Sequence, residues 1–110
     1  MSYNVIPIDR FKKEAKRLVK KYPSLRAELT ELSTLLAENP TLGTSLGNNI
    51  YKIRLSIKSK GTGKSGGARV ITYVVTSDQE IYLLTIYDKA DLDTVDDNTL
   101  RRIVKSISTR

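Results

Sequence analysis

From Phe11 to Tyr22 the apolar residues Phe11, Ala15, Leu18, Val19 and Tyr22 recur at three- and four-residue spacing, and Lys12, Lys13, Lys16, Arg17 and Lys20 fill the positions between them. That period predicts an amphipathic helix with an apolar stripe and a cationic face. Asp9 is placed to cap its start and Pro23 to end it. Ser24 can cap a second helix with Leu25, Leu29, Leu32 and Leu36 inward, closing by Asn39-Pro40. Two helices joined so tightly form a hairpin, and their apolar stripes need a sheet to cover.

The remaining pattern supplies that sheet. Tyr3 to Ile8 reads as a short strand, which Pro7 confines to an edge or a strand end. After a turn-rich stretch from Thr41 to Asn49 the period changes to two: strand Ile50–Ile57, a glycine-rich loop Lys58–Gly67, strand Ala68–Thr76 and strand Glu80–Tyr87. The last two are separated by Thr-Ser-Asp-Gln, short enough for a hairpin. A final helix carries Leu100, Ile103, Val104 and Ile107 on one stripe, with Asp96 or Asp97 as its cap. The order is β-α-α-β-β-β-α, an α+β domain over residues 1–110. The expected sheet is four-stranded and largely antiparallel, packed against the N-terminal helical hairpin, with a short C-terminal helix.

Charge changes the picture in the middle of the chain. The formal net charge is +7 over 110 residues. Residues 1–38 hold eight Lys/Arg against five acids, residues 78–110 five against seven, and residues 39–77 six against none. A focused cationic segment steers anionic partners in a way that scattered charge does not. In Tyr51-Lys52-Ile53-Arg54-Leu55 the two cations share one face of a strand and the apolar residues the other. Alone, that is how the solvent side of most half-buried strands reads; with no acid nearby, it points to nucleic acid. The chain has no His and no Cys, which removes the usual nucleophile, base and soft metal ligands. Asp88, Asp91, Asp93, Asp96 and Asp97 lie beside a helix start and read as caps and dipole complement rather than a metal site. No stretch approaches the roughly 18 apolar residues of a membrane helix and no secretion signal opens the chain, so the expectation is a cytoplasmic protein without a membrane partner.

Gly61-Thr62-Gly63-Lys64-Ser65 ends like a phosphate-binding P-loop. The motif needs another glycine where Lys58 stands, and a helix after the loop, where Ala-Arg-Val-Ile-Thr-Tyr-Val-Val is plainly a strand. A mobile cationic flap is the better description.

Three strings are specific enough to suggest a family. Tyr51-Lys52-Ile53-Arg54-Leu55, Gly66-Gly67-Ala68-Arg69 and Tyr82-Leu83-Leu84-Thr85-Ile86-Tyr87-Asp88-Lys89 resemble the RelE/ParE toxin superfamily, above all the HigB-type RelE toxins of bacterial toxin–antitoxin pairs. The resemblance spans nearly the whole chain. It implies a metal-independent messenger-RNA endonuclease that acts in the ribosomal A site, needs no cofactor and is silenced by a cognate antitoxin. By position it implies a catalytic set of Lys52, Arg54, Arg69, Tyr87 and Lys89 on the concave face of the sheet. The long flap departs from shorter relatives and adds Lys58, Lys60 and Lys64 as RNA-binding candidates; no tyrosine follows Tyr87.

The residues suit that chemistry. RNA brings its own nucleophile, the 2′-OH, so an enzyme must orient it in line with phosphorus and stabilise the transition state. Arg69, a permanently charged fork, can hold the phosphoryl oxygens, with Arg54 or Lys52 as a second clamp. Tyr87 either moves a proton or stacks on a base. Arg69 has a structural alternative, an ion pair with Asp88 or Asp91. Two rivals use the same fold: a ParE-like toxin that inhibits a topoisomerase by contact, and an RNA-binding module without catalysis. An antitoxin for this surface brings carboxylates near Arg54 and Arg69, or covers the face.

Overall fold

Pro7 has no amide hydrogen to give a ladder, and the strand that contains it, β1 (Asn4–Pro7), ends there at an edge of the sheet. The computed structural model describes residues 2–61, 66–92 and 94–108. After β1 come α1 (Asp9–Lys21), α2 (Leu25–Glu38), β2 (Thr44–Gly47), β3 (Ile50–Leu55), a 3-10 turn (Lys58–Lys60), β4 (Ala68–Val75), β5 (Glu80–Asp88) and α3 (Asp97–Ser108). The strands form one sheet in the order β1-β5-β4-β3-β2. All neighbours are antiparallel except β1, which runs parallel to β5 with Asn4 opposite Glu80.

The α+β class and the order of helices are those expected, but the sheet has five strands rather than four. The addition, β2, lies in the stretch read as turn-rich. Asn48 and Asn49 both have positive φ, 54° and 64°, as a tight two-residue hairpin turn requires, and Gly47 therefore meets Ile50. Just before β2, Gly43 has φ +103°, and a Cβ there would stand 2.5 Å from the Lys52 carbonyl oxygen. Only glycine lets the backbone pass so close to β3.

The two sheet faces are covered differently. Phe11, Leu18, Leu25, Leu32 and Leu36 of the hairpin bury Ile53, Val70, Val74, Ile81, Leu83 and Ile86 on one face. On the other, Leu100 and Ile103 of α3 cover Ile50, Ile71, Leu84 and Tyr87. The β3 end of that second face stays uncovered, and Lys52 and Arg54 project from it. Where β1 stops, α1 takes over the edge of β5: Glu14 Oε1 accepts the Thr85 hydroxyl at 2.6 Å and the Ile86 N–H at 3.3 Å. That closes an edge otherwise open to strand pairing.

Helix starts depart in detail from expectation. Ile8 holds the N-cap position of α1, and Asp9 falls in the first turn, where its charge still complements the helix dipole. Ser24 occupies the N-cap position of α2 without capping it; its hydroxyl bonds to Glu28 and to the backbone of Ser59. For α3 the cap is Asp96, whose Oδ1 accepts the Thr99 N–H at 2.7 Å.

Candidate nucleic-acid interface

The antiparallel register builds the site row by row. Arg54 of β3 lies directly opposite Arg69 of β4, and Arg69 directly opposite Tyr87 of β5. Residues opposite one another share a face, as does Lys52, two positions before Arg54. Lys52, Arg54, Arg69 and Lys89 line one concavity of about 390 Å³, together with Thr44, Leu46 and Thr94. Among the described residues that line it there is no carboxylate. Four of the five residues of the expected catalytic set thus converge, and the fifth, Tyr87, stands in register beside Arg69.

Their environments differ. Arg54 is exposed at the rim, while Arg69 is 4% exposed and donates from Nη1 to the Ala68 carbonyl at 3.2 Å. A buried guanidinium at the floor and a solvated one at the rim present charge at two depths. Tyr87 is 7% exposed, its ring held between the sheet and α3 with Ile50, Ile71 and Leu100. A ring so enclosed offers no open face on which a base could stack.

The described flap cations do not line this concavity. Lys58 lines an adjoining groove of about 550 Å³ between α2 and β3, which Thr44, Lys52 and Arg54 also line together with Glu28 and Glu31. Lys60 turns inward to an ion pair with Asp88 and leaves only 13% of its side chain exposed. Lys64 lies outside the described residues, as does Asp93 of the acid cluster. The start of the loop is tied down: Ser59 N–H donates to Ser24 Oγ at 3.0 Å and Lys58 N–H to Glu28 Oε2 at 2.8 Å. The description of a mobile flap does not fit this segment. The alternative ion pair of Arg69 with Asp88 is also replaced, since Asp88 takes Lys60.

Sequence reasoning missed the rim residues Thr44 and Leu46, because it read their strand as a turn. The Asn48-Asn49 pair between two β-forming segments was the signal for a hairpin. It also read Asp88 as a helix-dipole complement, whereas its side chain is fully buried beneath the hairpin. Burial alone would push that carboxyl up. Hydrogen bonds from Lys60, the Ala90 N–H and Tyr22, with the charge of Lys60, outweigh burial and hold it below the ordinary value of 3.8.

No protein-family model matches the sequence. Among solved structures the chain is similar to a mutant of the E. coli toxin RelE in the free state, with TM-score 0.65 at 19% identity over 97% of this chain and 99% of that one. It is also similar to the E. coli RelBE toxin–antitoxin complex, with TM-score 0.60 at 19% identity over 79% of this chain and 96% of that one. A third similarity is to the isolated E. coli RelE toxin, with TM-score 0.60 at 18% identity over 96% and 99%. These relationships reach RelE and not the narrower likeness to HigB-type toxins. The cationic concavity therefore stands on a recognised scaffold: this chain has the RelE fold.

Proposed function

We propose that this protein is a toxin of a toxin–antitoxin pair that cleaves messenger RNA on the ribosome. The observation that supports the reading most directly is the concavity in which Lys52, Arg54, Arg69 and Lys89 meet on one sheet face. The scissile phosphate sits over the ladder of Arg54, Arg69 and Tyr87. The RNA 2′-OH attacks phosphorus, the bond to the 5′ oxygen breaks, and the products are a 2′,3′-cyclic phosphate and a 5′-OH end. One proton leaves the 2′-OH and one reaches the departing oxygen. Arg69 and Arg54 hold the phosphoryl oxygens as negative charge grows there, from donors already in place. Lys52 and Lys89 flank them, and Tyr87, with both ring and hydroxyl buried beside Arg69, backs the ladder rather than stacking on a base. The reaction needs orientation and positive charge, not a metal ion or cofactor.

An antitoxin is the natural partner. Its neutralising segment is acidic, with carboxylates set against Arg54 and Arg69, or it blocks entry to the ribosome.

The test is incubation of the purified protein with ribosomes carrying messenger RNA, in EDTA. Cleavage that persists in EDTA and falls about 10²–10³-fold in Arg54→Ala or Arg69→Lys is the expected result. Intact RNA together with blocked DNA supercoiling would replace this reading with a contact inhibitor of a topoisomerase.

A further inference from the structure

Asp88 ends β5 one residue before Lys89, and its side chain has no exposure. A buried carboxylate is costly unless donors surround it. Three do so here. Lys60 Nζ pairs with Oδ1, the Ala90 N–H donates to the same oxygen at 3.0 Å, and the Tyr22 hydroxyl donates to Oδ2 at 2.8 Å. The Lys60 ammonium also lies 5.6 Å from the centroid of the Tyr22 ring. Through this one carboxylate the end of α1, the 3-10 turn and the end of β5 are joined. The turn is itself stitched to α2 through Ser24 and Glu28.

The geometry points to Asp88 as a positioning residue for the site, with Lys60 as the charge that holds it. The functional half of this inference rests on the endonuclease reading. Alternation along the strand means that fixing Asp88 on the hairpin face fixes Tyr87 on the opposite one, and Lys89, the first residue of the turn that follows, lines the concavity. The Asp88 carboxylate then catches the Ala90 N–H, while the Asp88 carbonyl accepts the N–H groups of Asp91 at 3.0 Å and Leu92 at 3.2 Å. The chain therefore bends away immediately after Lys89, whose own N–H is held by the Gly67 carbonyl at 3.0 Å. Where Lys89 reaches into the concavity is set by that bend. Lys60 is thus a structural counter-charge rather than a contact for RNA.

The experiment compares wild type with Lys60→Met, Asp88→Asn, the double variant and Lys60→Arg. It measures single-turnover cleavage of ribosome-bound messenger RNA, ribosome affinity against salt, thermal stability, and amide exchange at Lys89 and Ala90. Each neutralising single variant slows cleavage roughly ten- to a hundredfold, as misplacement of a reacting group does, with affinity and its salt dependence unchanged. Lys60→Arg keeps most of the rate. The double variant regains thermal stability but not rate, and its Lys89 and Ala90 amides exchange faster than in wild type. Recovery of rate together with stability would make the pair merely structural and overturn the proposal. So would a loss of affinity and a shallower salt slope in Lys60→Met, which would make Lys60 an RNA contact. If wild type cuts no RNA, the endonuclease reading fails and takes the functional half with it. The exchange rates still decide the geometric half, and unchanged exchange in all variants overturns that.

Discussion

Arg54 and Arg69 face each other across the ladder, yet one stands in solvent and the other is enclosed, so their substitutions differ in kind. Arg54→Ala removes charge without disturbing the core, and stability should change by less than about 0.5 kcal/mol. Arg69→Ala would also empty a buried volume, so Arg69→Lys is the cleaner probe of the fork geometry: it retains charge and loses bidentate contact. Lys60→Met leaves the Asp88 carboxylate buried without its counter-charge, and urea denaturation should show a loss of about 3–5 kcal/mol, most of it regained in Lys60→Met/Asp88→Asn. The acid behaviour follows from the same group. The folded-state value of Asp88 lies below its unfolded value of 3.8, so its contribution is complete above that pH and is lost as the pH falls through the lower folded value. Urea midpoints measured from pH 6 down to pH 3 should drop more steeply in wild type than in Asp88→Asn. Little of this was legible beforehand. The strand alternation placed Lys52 and Arg54 correctly, but Asp88 has the same exposed-looking neighbours in sequence as Asp91 and Asp96, and only the third dimension buries it.

At the scale of elements, the passage of residues 42–44 beneath β3 depends on Gly43. Gly43→Ala forces a Cβ against the Lys52 carbonyl in a left-handed conformation, and the cost should be about 1–3 kcal/mol by chemical denaturation. Since Thr44 and Lys52 both line the concavity, the same variant should weaken RNA binding. The helices and three long strands were readable because their periods of 3.6 and two persist over many residues. β2 has four residues, all exposed, so no apolar alternation marks it; its only local sign is the asparagine pair in the turn. Pro7 announced an edge strand correctly. Its pairing with β5, parallel and 76 residues distant, is a matter of packing that local preference does not encode.

Across the whole molecule, the excess of positive charge becomes a surface only after folding. Under the proposed activity, RNA affinity should fall steeply with salt, and neutralising any of Lys52, Arg54 or Lys89 that contacts phosphate should reduce the slope of log affinity against log salt by about 0.7 for a single strand. Neutralising Lys12 or Lys16 on α1 then serves as the comparison, for those side chains are exposed away from the ladder. An antitoxin held mainly by carboxylates should dissociate in strong salt, whereas one seated on apolar surface should resist it.

The parallel pairing of the first strand with the last has a consequence for synthesis. A growing polypeptide must wait until residues 80–83 exist before its opening segment finds a mate, and such distant closure is slow. The cationic cluster itself draws on positions from 52 to 89, so no N-terminal fragment short of Lys89 can assemble it. Under the proposed activity, a nascent copy has no complete cutting centre until Lys89 has been added.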